Sequence, residues 1–114
     1  MKPSKTTLAL VALSCAGLAN AQAPAGDANR ARERVQMCQG CHGIEGWRTA
    51  FPEVYHVPKL AGQHAQYLAG ALQAYKSGAR SHPSMKAIAA TLSDADIADL
   101  AAYYAQSATT TAGK

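Results

Sequence analysis

Cys38-Gln39-Gly40-Cys41-His42 places two thiols three residues apart, with an imidazole directly after the second. Thiols at that spacing can share one turn of chain and each add to one vinyl group on the edge of a haem. His42 then lies beneath the macrocycle, where a ring nitrogen can reach the iron, and Gly40 keeps the turn small beside the porphyrin. Three other chemistries fit less well. A structural zinc needs four ligands, and these cysteines have only scattered histidines for company. A thioredoxin-type redox pair needs a strand–helix setting that this chain lacks. A plain short disulfide would leave the shortage of apolar side chains, described below, without a remedy. The pattern predicts one haem c, bound covalently through Cys38 and Cys41, with His42 on the iron.

A low-spin haem iron that carries electrons takes a methionine or a second histidine opposite the first. Met1 falls in the leader, and Met37 adjoins Cys38 and is tied to the attachment side. Met85, expected in a loop after the second helix, is the remaining sulfur and the predicted ligand; filling a core gap is its plainer alternative role. His64 is expected to be solvated and His56 to be structural or exposed. His82, three residues before Met85, is the nearest rival, with shaping the loop beside Pro83 as its expected role.

Helices must position these groups. Asp27–Met37 reads as a helix capped by Asp27, with Ala28, Ala31 and Val35 on one face. Cys38–Lys59 is interrupted by Gly40, Gly43, Gly46, Pro52 and Pro58 and reads as a loop wrapped around a ligand. A second helix is expected over Gln63–Ser77, with Tyr67, Leu68, Ala71, Leu72 and Tyr75 inward and Gly78 as its stop. A short helical piece is expected over Met85–Thr91. The last helix begins at Ser93, with Asp96 as reciprocal acid and Leu92–Ile97 as a hydrophobic staple. Asp94, Asp96 and Asp99 favour its positive end, and Ile97, Leu100, Ala101 and Tyr104 face inward. No alternating strand pattern of useful length is visible. The predicted class is all-α.

The chain has 114 residues, one small domain at most. Met1–Ala23 has the order of a secretory signal: Lys2 and Lys5, a short apolar run, and small residues ending at Ala21 or Ala23. Cys15 is expected to be an ordinary leader residue rather than a lipidation site. The expected organisation is therefore a signal over 1–23, a domain over 24–106 that opens with a flexible junction at Pro24–Gly26, and a flexible tail over 107–114. After residue 23, Leu, Ile, Val and Phe number only 12 of 91 residues, too few for a good core without a partner or a buried cofactor. The net charge of +4 falls to +2 once Lys2 and Lys5 are set aside. No basic stretch interleaved with aromatics suggests a nucleic-acid surface, and no apolar run is long enough to span a bilayer.

Taken together, Cys38-x-x-Cys41-His42-Gly43, Pro58-Lys59-Leu60-Ala61-Gly62-Gln63, His82-Pro83-Ser84-Met85 and the stretch from Leu92 to Tyr104 resemble a bacterial class I cytochrome c. The resemblance covers essentially the whole chain after the leader. It is closest to the small monohaem type and to single domains of the dihaem cytochrome c4. It implies helices packed around one covalently bound haem, with the Pro58 carbonyl held by the second nitrogen of His42. It also implies a tight crossing of the terminal helices, with Ala31 as the small residue and Tyr104 as a packing aromatic. One departure is that many members carry an aromatic near Val35. Trp47 fits either a haem or propionate contact or ordinary loop packing.

The function expected is a one-electron carrier rather than an enzyme, periplasmic and monomeric. It would take electrons from a dehydrogenase or bc-type complex and pass them to an oxidase or reductase. A fixed electron-entry subunit, or a gas-binding or peroxidatic haem protein, are the alternatives. Lys59, Lys76, Arg80 and Lys86 fit either a local ring at the haem edge or solvated helix faces.

Overall fold

Ser93 starts the best-defined element, helix α4 (Asp94–Gln106). Its hydroxyl accepts from the Asp96 amide at 3.1 Å, while the Asp96 carboxylate accepts from the Ser93 amide at 2.9 Å. The first turn therefore leaves few donors unsatisfied, as the spacing predicts. The staple holds too: Leu92 and Ile97 are buried in one cluster with Ala31, Val35 and Leu100.

The structure, a computed structural model, describes residues 25–50 and 54–107. The expected leader with Cys15, Phe51 in the first loop, and the expected tail beyond Ser107 lie outside those residues. A 3-10 turn, Arg30–Glu33, runs into helix α1 (Val35–His42). Strands β1 (Arg48–Thr49) and β2 (Tyr55–His56) form an antiparallel pair, with Arg48 opposite His56 and Thr49 opposite Tyr55. Helices α2 (Ala65–Ser77) and α3 (Pro83–Ala90) follow, then α4. Helix α2 packs on both α3 and α4, and the 3-10 turn packs on α4.

Several local expectations need correction. The first helical segment is displaced towards the C-terminus: the expected Asp27–Met37 helix is a tight turn followed by α1, which contains the whole Cys38–His42 motif. Gly40 weakens a helix but does not break it, and in α1 it is outweighed by the packing of Val35 and Cys38 on the core. Asp27 does not cap a regular helix; its carboxylate accepts from the Asn29 amide at 2.8 Å, a local turn. The region read as continuous loop contains the β1–β2 hairpin, too short for alternation to reveal. Met85 lies in the first turn of α3, which begins two residues earlier than expected because Pro83 suits a helix start. His82 caps that helix, its ring nitrogen accepting from the Met85 amide at 3.4 Å.

Gly26, expected in a flexible junction, lies against the backbone of α4: a Cβ there would overlap the Ala98 carbonyl. Asp99, read as a charge favouring the helix start, is instead buried at 5% exposure. It accepts from both Arg30 Nε and Nη2 at 2.8 Å and from the Asp27 amide at 2.6 Å. Those bonds fasten the N-terminal segment across α4. At the far end of α4, the Ser107 hydroxyl donates to the Tyr103 carbonyl at 2.9 Å.

The core is thin. Three of its buried hydrophobic residues are alanines (Ala31, Ala89 and Ala101), and the larger ones are Val35, Leu68, Leu92, Ile97 and Leu100. Aliphatic scarcity in the sequence has become a shortage of packed volume.

Candidate functional site

Helical pitch explains how the motif is presented. In α1, Cys38, Cys41 and His42 stand at i, i+3 and i+4 and so share one face. That face lines a cavity of about 390 Å³. Both cysteines are free, Cys38 half-buried and Cys41 exposed. Burial pushes the Cys38 thiol up, so it is not poised as a reactive thiolate on its own.

His42 Nδ1 lies 2.7 Å from the Pro58 carbonyl oxygen. A carbonyl has no proton to give, so Nδ1 donates, and the neutral ring keeps its free lone pair on Nε2. That tautomer is the one a metal needs, and the bond strengthens the imidazole as a ligand. Pro58 thus contributes through its backbone, and the loop between β2 and α2 sets the ring.

Helix α2 supplies the apolar wall: Leu68, Ala71, Leu72 and Tyr75 line the cavity at helical spacing. Gly78, left-handed at φ 85°, ends this helix where the sequence places the stop. Tyr67, expected inward, is 54% exposed, yet it lines the same cavity, as do the exposed Met37 and Tyr55. Apolar side chains left bare around one concavity are surface that a bound apolar group would cover.

Met85 reaches the cavity from α3, and His82 and His56 also line it. His64 is exposed at the start of α2 and does not. The His82 ring meets Tyr55 edge-on at 5.3 Å. Trp47 is exposed and lies outside the lining; its backbone carbonyl accepts from the Val57 amide at 2.9 Å. Of the four cations singled out in the sequence, Lys59 and Arg80 line the cavity, whereas Lys76 pairs with Asp94 at 3.2 Å. The Tyr104 hydroxyl is buried beside the Cys38 thiol without an oxygen or nitrogen partner, and burial pushes its ionisation up. Sequence reasoning missed the hairpin contribution of Tyr55 and His56, because two-residue strands leave no periodic signal.

A family model described as "Cytochrome c" matches residues 28–107. The chain belongs to the cytochrome c family. It is 40% identical over 96 residues to a cytochrome c4 of Pseudomonas aeruginosa, covering 84% of this chain and 44% of that protein. It is 42% identical over 83 residues to cytochrome c-554(548) of Halomonas halodenitrificans, covering 70% of this chain and 95% of that one. A Stutzerimonas stutzeri protein named thiosulfate dehydrogenase electron acceptor is 39% identical over 72 residues, covering 63% of this chain and 32% of its own length. The chain therefore spans under half of the cytochrome c4 relative and nearly all of the c-554(548) relative.

This is a class I monohaem cytochrome c, similar to cytochrome c4 domains. Its cofactor is a covalently bound haem c. The cavity fits that group on its own evidence: two free thiols and a preset imidazole on one face, an apolar wall, and bare aromatic surface around them. No helix among the described residues is long and apolar enough to cross a membrane.

Proposed function

We propose that this chain is an exported, periplasmic, one-electron carrier whose haem iron is held between His42 and Met85. Haem supplies, when bound, a ferrous–ferric couple; the rest is the work of the chain. Cys38 and Cys41 hold the macrocycle to α1. His42, oriented by Pro58, offers Nε2, and Met85 offers a thioether from α3. With His42 and Met85 both engaged in holding the group, the chain would rearrange little on a change of oxidation state and would leave no position for substrate chemistry. A thioether opposite imidazole favours the reduced form relative to two imidazoles, and so does an apolar cavity.

The single observation behind the Met85 assignment is the state of its rival. His82 Nδ1 accepts the Met85 amide, so the neutral His82 ring carries its proton on Nε2 and has no free lone pair there. The Met85 sulfur has no such commitment, and Met85 lines the cavity.

Donor and acceptor follow by analogy. A relative named as a thiosulfate dehydrogenase electron acceptor supports a dehydrogenase as donor; a bc-type complex as the other donor, and an oxidase or reductase as acceptor, belong to the proposal without that support. Export through the signal at 1–23 and a monomeric state belong to the same proposal. A fixed electron-entry subunit would differ by co-purifying stoichiometrically with its enzyme.

Met85→Ala tests the ligation. The variant is expected to keep its haem but to bind carbon monoxide when reduced, whereas the wild type does not. Equal carbon monoxide binding by both proteins would overturn the assignment.

A further inference from the structure

We propose that Arg80 is the residue through which this chain grips and orients the propionate carboxylates of its haem, and thereby holds the reduction potential up. The inference rests on the haem reading above and adds a residue to it.

Charge around the cavity points this way. Among the described residues that line it there is no Asp or Glu, yet two fixed cations are present, Lys59 and Arg80. A cavity without an acid but with cations on its wall is arranged for an anionic guest. Three cations that lie away from the cavity are matched, Arg30 to Asp99, Arg34 to Asp96 and Lys76 to Asp94. Arg80 has no carboxylate within ion-pair distance among the described residues.

Arg80 is exposed, yet its backbone and its guanidinium are both held in place. Its backbone amide returns to the Ala74 carbonyl at 3.0 Å, just past the left-handed Gly78, so its Cα is pinned to the end of α2. Its guanidinium carbon sits 4.9 Å from the centre of the Tyr75 ring. Stacking on the ring restrains the planar fork, and a restrained fork binds a carboxylate through two parallel hydrogen bonds. The hydroxyls of Ser81 and Ser84 line the cavity from the same connection. Lys59 is a point charge on a flexible stem and fixes no such orientation.

A guanidinium matched to a propionate removes negative charge near the iron. The oxidised form carries one more positive charge than the reduced form, so this neutralisation favours reduction.

Arg80→Gln, Arg80→Lys and, as a control, Lys76→Gln test the proposal on purified holoprotein. Haem content by pyridine haemochrome is measured first, then the potential by spectroelectrochemical titration, then the propionate bending band by resonance Raman. Arg80→Gln is expected to shift the couple several-fold towards the ferric form and to move the propionate band. Arg80→Lys should recover most of the potential but not the band, and Lys76→Gln should leave both unchanged. A fully loaded Arg80→Gln protein with wild-type potential and band overturns the proposal. If Arg80→Gln does not accumulate as holoprotein, Arg80→Lys decides: an unmoved band overturns it, a moved band supports it. A haem-free wild type would sink the functional reading and this one together, whereas a loaded wild type with an indifferent Arg80 sinks this one alone.

Discussion

Asp99 shows what one residue can do in a domain with little core. Its carboxylate is buried, but Arg30, the cation that meets it, is 63% exposed along its side chain. The pair therefore works less as a surface ion pair than as three converging hydrogen bonds on a carboxylate that water no longer reaches. The Arg30 guanidinium, and then the Asp27 amide, hold Asp99 below the usual carboxylate range. A lowered folded-state value means that its stabilisation is complete above the unfolded value of about 4 and is lost as pH falls from there through the folded value. Asp99→Asn is accordingly expected to be less stable than wild type at neutral pH, with the gap narrowing below about pH 4. Urea midpoints of holoprotein at neutral and acidic pH measure this directly. A gap that widens on acidification would mean that the carboxylate is not the group being held.

At the scale of elements, α4 is the frame on which the other helices are placed. Its capping box fixes its start, its Leu100, Ala101 and Tyr104 line one side of the cavity, and Gly26 and the Arg30–Glu33 turn cross it. The crossing needs the absence of a side chain at Gly26. Gly26→Ala would push a methyl into the Ala98 carbonyl, and overpacking of this kind costs about 1–3 kcal/mol. A lowered thermal midpoint of the holoprotein with an unchanged visible spectrum is the expected result. Much of this frame was legible beforehand, because caps and periodic apolar faces are local signals: Ser93 with Asp96, Gly78, the inner face of α4, and that of α2 apart from the exposed Tyr67 stand where the spacing places them. What stayed hidden was non-local. Nothing near Gly26 in sequence announces a contact with residue 98, and Asp99 looks like any acid in the N-terminal half of a helix until Arg30 arrives from 69 residues away. The motif helix α1 was obscured differently, since Gly40 and Gly43 read as breakers while the packing that keeps α1 helical comes from the cluster Val35 joins with Ala31, Leu92, Ile97 and Leu100.

For the whole molecule, the consequence of few large aliphatics is that the interior is incomplete until the cofactor fills it. The buried cluster is small, the cavity reaches α1, the hairpin, α2, α3 and α4, and Met37, Tyr55 and Tyr67 stay bare around it. Each Å² of that apolar surface covered by a ligand is worth roughly 25 cal/mol, so a macrocycle closing on all five elements contributes on the scale of a small domain's entire stability. Covalent attachment adds that the group cannot dilute away. Replacing Cys38 and Cys41 together with Ser should then do more than release a pigment. The unloaded chain is expected to lose most of its helical circular dichroism at 25 °C, and whatever compact fraction survives should bind a hydrophobic dye that the holoprotein ignores. A double variant that stays fully helical, cooperative in urea and dye-silent would show that the side chains suffice, and the link between thin core and cofactor would be broken.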